Sequence, residues 1–148
     1  MRVAMFVLAA GIMAAPMASA QTLQRINAAG LATPATYSHI VRAGKTLYIA
    51  GQVGADADGK LAGPGMEAQL DQVLKNLQTA LKSQGADFSH IARITIYTTD
   101  VDAFRAPAAA AIRAKYFGND KPASTLVGVV RLASPEYKVE IEATAVLP

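Results

Sequence analysis

Period-two alternation is clearest in KVEIEATAV, Lys138 to Val146. There Val139, Ile141, Ala143 and Ala145 share one face of a strand, and Glu140, Glu142 and Thr144 share the other. The same reading makes strands of YSHIVRAG and TLYIAGQV, turned about Gly44 and Lys45 as a β-hairpin. IARITIYTT, rich in β-branched residues and Tyr97, and ASTLVGVVR complete the strands. Between them the period changes. In MEAQLDQVLKNLQTALKSQG the residues Met66, Leu70, Val73, Leu74, Leu77 and Leu81 recur at spacings of three and four and form one helical stripe. Glu67 and Asp71 sit near its start, Lys82 near its end, and Gly85 is placed to cap it. DAFRAPAAAAIRAKYFG predicts a second helix with Pro107 in its first turn, Gly118 closing it, and Ala108 to Ala111 close against a sheet.

The predicted order is β-β-α-β-α-β-β, an α+β fold with one sheet and both helices on a single face. GADADGKLAGPG is a turn-rich connection with a short second hairpin at Asp58 and Gly59. QTLQRINAAGLATPA reads as a polar, loosely held lead-in, so residues 21–33 form an arm before a single domain over 34–148.

The first twenty residues stand apart. Arg2, an apolar run from Val3 to Ala15, and the ending Ala18, Ser19, Ala20 have the form of a secretory signal cleaved after Ala20. The run is shorter than the roughly 18 residues a membrane span needs, and Pro16 interrupts its end. The expected location is therefore periplasmic or secreted, with no membrane attachment once the signal is removed. Cleavage leaves 128 of the 148 residues and, with Arg2 gone, lowers the formal charge from +3 to +2. The remaining Lys and Arg are scattered, with IRAK the densest group, which argues against a nucleic-acid partner. The chain has no cysteine, which excludes disulfides and thiolate metal sites.

Apparent motifs fail on inspection. AGKT lacks the glycine of a phosphate loop, since His39 occupies that place, and a strand follows instead of a helix. DADG puts Gly54 and Gly65 where a calcium loop needs carboxylates. No serine lies in a Gly-x-Ser-x-Gly elbow, and His39 and His90 have no metal-binding spacing. His39 is expected to be a hydrogen-bonded structural residue, and His90 to be exposed. Glu140 and Glu142 are harder to set aside. They point away from the helices, where a solvated face is the ordinary reading. Yet both faces of ASTLVGVVR are nearly equally apolar, as in a strand buried on both sides. If its helix-free face is covered, another copy of the chain must cover it, which would place Glu142 at a cleft edge between subunits.

YSHIVRAGKTLYIAGQVG, the helix ending LKSQGADFSHIARITIYTTDVDAF, and KPASTLVGVVRLASPEYKVEIEATAV together resemble the RidA/YjgF family of reactive-intermediate (imine/enamine) deaminases, from about Pro34 to Val146. The resemblance implies a chorismate-mutase-like α+β fold and a homotrimer with sheets inward, helices outward and small-molecule clefts between subunits. It implies hydrolysis of 2-imino acids to 2-keto acids and ammonia without metal or cofactor. By the same resemblance Tyr37, Gly51 and Gln52 line the cleft, and Glu142 orients the attacking water, with burial between subunits expected to raise its pKa. An inter-subunit hydrogen bond is the structural alternative for Glu142.

One position departs from the family pattern. Where the deaminating branch reads Pro-Ala-Arg-Ser, with the arginine clamping the substrate carboxylate, this chain has Pro122, Ala123, Ser124 and Thr125. Ser124 offers one neutral donor in place of a planar fork, and Leu126 makes the cleft more apolar. An asparagine expected early in the second helix has no counterpart in the alanine run. Arg131, seven residues beyond Ser124, is expected on the opposite face of the same strand. The sequence thus leaves open a trimer that binds or transforms a small molecule without the usual clamp, a deaminase using Arg42 or Arg105 from a neighbouring chain, and a non-enzymatic partner-binding or chaperone-like trimer. An RNA-directed activity is the reading its dispersed charge supports least.

Overall fold

The computed structural model describes residues 21–148; the secretory segment read at 1–20 lies outside the described residues. Six strands and three α-helices follow in the order β1 (Leu23–Ile26), β2 (Ile40–Ala43), β3 (Thr46–Val53), α1 (Met66–Lys82), β4 (Ile91–Thr98), α2 (Val101–Arg105), α3 (Pro107–Phe117), β5 (Ala123–Gly128) and β6 (Val139–Val146). One sheet holds all six strands in the order β1-β2-β3-β6-β4-β5. Only the β4–β5 pair is parallel, because α2 and α3 carry the chain back between them.

The α+β reading holds, with one sheet and the apolar strand faces turned to the helices. The α1 stripe is buried as its periodicity requires, and it packs on β3 and β6. Its C-terminal cap also forms. Gly85 has φ +70, and the Gly85 and Ala86 N–H groups donate to the carbonyls of Lys82 and Leu81, the paired bonds of a Schellman turn. Asp58 and Gly59 do sit in a small hairpin, closed by the Ala55–Leu61 bridge.

Four expectations are corrected. The lead-in is not loosely held: Leu23–Ile26 adds a strand to β2. His39, only 3% exposed, fastens the chain that follows. Its Nδ1 accepts the Ala28 N–H at 3.1 Å, its Nε2 therefore donates to the Ala32 carbonyl at 3.0 Å, and its own N–H donates to Asn27 Oδ1 at 3.2 Å. The second helix is two helices, split at Ala106 because Pro107 at the first position of α3 cannot continue α2. The alanine run meets α1 instead of the sheet, and it buries only Ala109. Finally, β5 ends at Gly128, so strand alternation does not extend to Arg131.

Candidate functional site

β6 lies at the centre of the site. Val139, Ile141, Ala143 and Ala145 are buried against the helices, and Glu140, Glu142 and Thr144 are half-buried on the opposite face. Glu142 pairs in register with Thr95 of β4. On its other side the β3 register slips between Ile49 and Gln52, so that Ala50 and Gly51 together face one residue of β6, a β-bulge. Glu142 occupies the position across from that extra residue.

The bulge makes room for acid. A Cβ at Gly51 would collide with the Glu140 carboxylate, so only glycine permits this approach. Burial, and secondarily the nearby charge of Glu142, push the Glu140 carboxyl above its ordinary value. Glu140 was assigned no role from the sequence. Glu142 opens into a cleft of about 400 Å³ with Ser38, Tyr48, Arg93, Thr95 and Thr144. Among the described residues the Glu142 side chain makes no ion pair and its carboxylate accepts no hydrogen bond, which leaves its oxygens available to a water or ligand. Sequence reasoning missed Arg93, Thr95 and Tyr48. The signal was present, because alternation in β4 and β3 puts them on the face of Glu142.

The other expected site residues lie elsewhere. Tyr37, Gly51 and Gln52 border a smaller cleft of about 170 Å³ near Tyr137. Tyr37 is exposed, whereas Gln52 is buried and donates to the Ala50 carbonyl at 3.0 Å. Ser124 and Leu126 pair in register with Ile94 and Ile96, whose side chains are buried on the helix face. They line a third concavity, of about 420 Å³, beneath α3. Within one chain Ser124 and Glu142 are thus on opposite faces of the sheet. Every residue of β5 is exposed, so the cover expected from its apolar composition is not supplied by the chain itself. No three His, Cys, Asp or Glu side chains gather as a metal site among the described residues.

The model of the endoribonuclease L-PSP family matches residues 26–147. The chain belongs to this family, also called RidA/YjgF. A RutC family protein of Pyrococcus horikoshii is 34% identical over 110 residues, which span 74% of this chain and 85% of the relative. A human 2-iminobutanoate/2-iminopropanoate deaminase is 33% identical over 111 residues, 74% of this chain and 79% of the relative. The crystal structure of RidA from an Antarctic Psychrobacter superposes with a TM-score of 0.73 at 29% identity, covering 86% of this chain and all of that one. Across the RidA/YjgF fold seen here, the sheet carries both acids on its helix-free face and Ser124 on the covered one.

Proposed function

We propose that this chain is an exported RidA-family protein, assembled as a homotrimer, that binds or hydrolyses a small molecule in clefts between subunits and has weak or no 2-imino acid deaminase activity. The observation that carries the reading is the division of the six expected site residues among three concavities on two faces of the sheet. A neighbouring copy can bring the Ser124 edge of one chain to the Glu142 face of another, and the wholly exposed β5 supports that contact.

In such a cleft imine hydrolysis needs little beyond placed water. Water adds to the C=N carbon, the nitrogen gains protons, and ammonia leaves as the carbonyl forms. Glu142 would orient the water, and Glu140, whose carboxyl holds its proton more readily than usual, could return a proton to the leaving nitrogen. No metal or cofactor enters this chemistry. The similarity to proteins named 2-iminobutanoate/2-iminopropanoate deaminase supports the reaction class. Replacement of the carboxylate-clamping arginine by Ser124 opposes efficient use of 2-imino acids. Losing one partner of a buried charge pair costs about 2–5 kcal/mol, or roughly thirty-fold to several-thousand-fold in binding.

An assay with freshly generated 2-iminobutanoate tests the reading. The parent is expected to turn over at least roughly thirty-fold more slowly than an arginine-bearing relative, Ser124→Arg to recover part of the difference, and Glu142→Gln to abolish what remains. Parent turnover equal to the relative's would establish full deaminase activity instead, and no turnover even in Ser124→Arg would remove the imine chemistry. Export is checked separately: amino-terminal sequencing of secreted protein is expected to begin at Gln21.

A further inference from the structure

A single imidazole closes the turn that walls the Tyr37 cleft. After β1 the chain turns through Ala29 and Gly30, where φ is +86, and returns as Leu31 and Ala32. Those two residues border the cleft shared by Tyr37, Gly51 and Gln52. His39 spans the ends of the turn, since its Nδ1 accepts the Ala28 N–H and its Nε2 donates to the Ala32 carbonyl. Among the described residues no other hydrogen bond ties residues 28–32 to the rest of the chain. An acceptor at Nδ1 and a donor at Nε2 define the neutral ring with its proton on Nε2. An imidazolium carries N–H on both nitrogens, so it would set a donor against the Ala28 N–H.

We infer that His39 is a pH-sensitive latch on this cleft: neutral, it holds the 28–32 turn in place as a wall, and protonated, it gives up the Ala28 N–H and lets that wall move away from Tyr37. The Ala28 N–H and an incoming proton compete for one lone pair, so acid favours the released turn. Nothing in the surroundings compensates a charge on the closed ring. No lysine or arginine lines the cleft, and α1 and β3 bring it the neutral Asn76 and Gln52. Asp56, on the small hairpin, is the one acid lining it, with Oδ1 already taken by the Asp58 and Lys60 N–H groups. No carboxylate lies within ion-pair distance of the His39 ring among the described residues. Tyr37 and Tyr137 bring phenols, and from β6 Glu140 reaches as far as Gly51. A buried charge without a partner is relieved by opening, and only the apolar contacts of Ala28 and Leu31 then hold the turn. The functional meaning of the latch rests on the reading of Tyr37, Gly51 and Gln52 as ligand-binding residues, but the latch itself is a property of the fold.

Hydrogen exchange of the purified protein, read by mass spectrometry over residues 27–33 at two pH values, tests the latch. His39→Gln is the informative variant, because an amide keeps one acceptor and one donor but takes up no proton. Parent and His39→Gln are expected to exchange alike near pH 7.5, and the parent at least about ten-fold faster near pH 5.5, across the range in which histidine changes charge. His39→Leu, which can make neither bond, is expected to exchange fast at both. Comparing parent with variant at one pH cancels the intrinsic pH dependence of exchange and the contributions of Glu140 and His90, which both proteins carry. Nitrogen-15 NMR of the histidine-labelled parent gives a second measurement: the ring is expected to hold its proton on Nε2 near pH 7.5, and the Ala28 amide to shift in step with the ring as acid is added. A proton on Nδ1 near pH 7.5, a ring that charges while residues 27–33 stay protected, or a parent no faster than His39→Gln near pH 5.5 would overturn the inference. If the turn opens in acid but 2-iminobutanoate turnover falls no further in the parent than in His39→Gln, the latch stands and the reading of the Tyr37 cleft as a ligand site fails. If turnover depends on Glu142 while the exchange rates never separate, that reading stands and the latch fails.

Discussion

Two glutamates on one face of one strand experience different surroundings, and the difference fixes a pH dependence. Glu140 lies over Gly51 and is pushed above the ordinary value of 4.5 by burial first and by Glu142 second. Between that ordinary value and its raised folded value the folded chain holds more protons than the unfolded chain. Stability contributed by this site therefore falls as pH rises through the window. Glu140→Gln removes the ionisation cost, so its thermal midpoint is expected to exceed the parent's near pH 7 and to match it near pH 4, where both side chains are neutral. Equal gains at the two pH values would trace the effect to packing alone. Tyr116, in contrast, is raised to about 12 by burial and by its bond to Asp71, so it stays protonated throughout that range.

Helix α1 holds more than its apolar stripe. Gln69 is fully buried on it, and its amide bridges the connection after Gly54 to the approach to β6. Nε2 donates to the carbonyls of Gly63 and Glu136 at 2.9 Å each, and Oε1 accepts the Lys138 N–H at 2.7 Å. Gln69→Leu would leave three backbone groups without these partners, and denaturant unfolding is expected to show a loss of roughly 2–4 kcal/mol. A loss under about 1 kcal/mol would mean that water replaces the amide. Spacing at three and four identified the stripe of α1 but gave no reason to bury Gln69 or Asn76, because their partners lie far away in the chain. β1 was illegible for the same reason: LQRI is short and polar, and only β2 makes it a strand. The family resemblance singled out Glu142 as a candidate, whereas the stacking of Arg113 on Phe104 was illegible, because no periodicity marks it.

At the scale of the molecule, the uncovered parts argue for assembly. Val127 and Tyr48 stand exposed on the helix-free face, and Val130 beyond β5 is fully exposed, so apolar side chains are available there to a neighbouring chain. Light scattering of the purified protein is expected to give three times the mass of one chain, and Val127→Glu to give a folded monomer with unchanged circular dichroism. A parent that stays monomeric at high micromolar concentration would defeat the trimer. Removing Ala50 would have a different effect, confined to one strand. With the surplus residue of β3 gone, Ile49 would still face Ala143 and Gln52 would still face Ile141, with one residue instead of two between them, so the side chains flanking the deletion would keep their faces. Leu47 and Ile49 would stay in the core, and Gly51 alone would stand across from Glu142. One amino acid can thus leave this strand without disturbing the core behind it, and what changes is the side of the sheet that carries the acids.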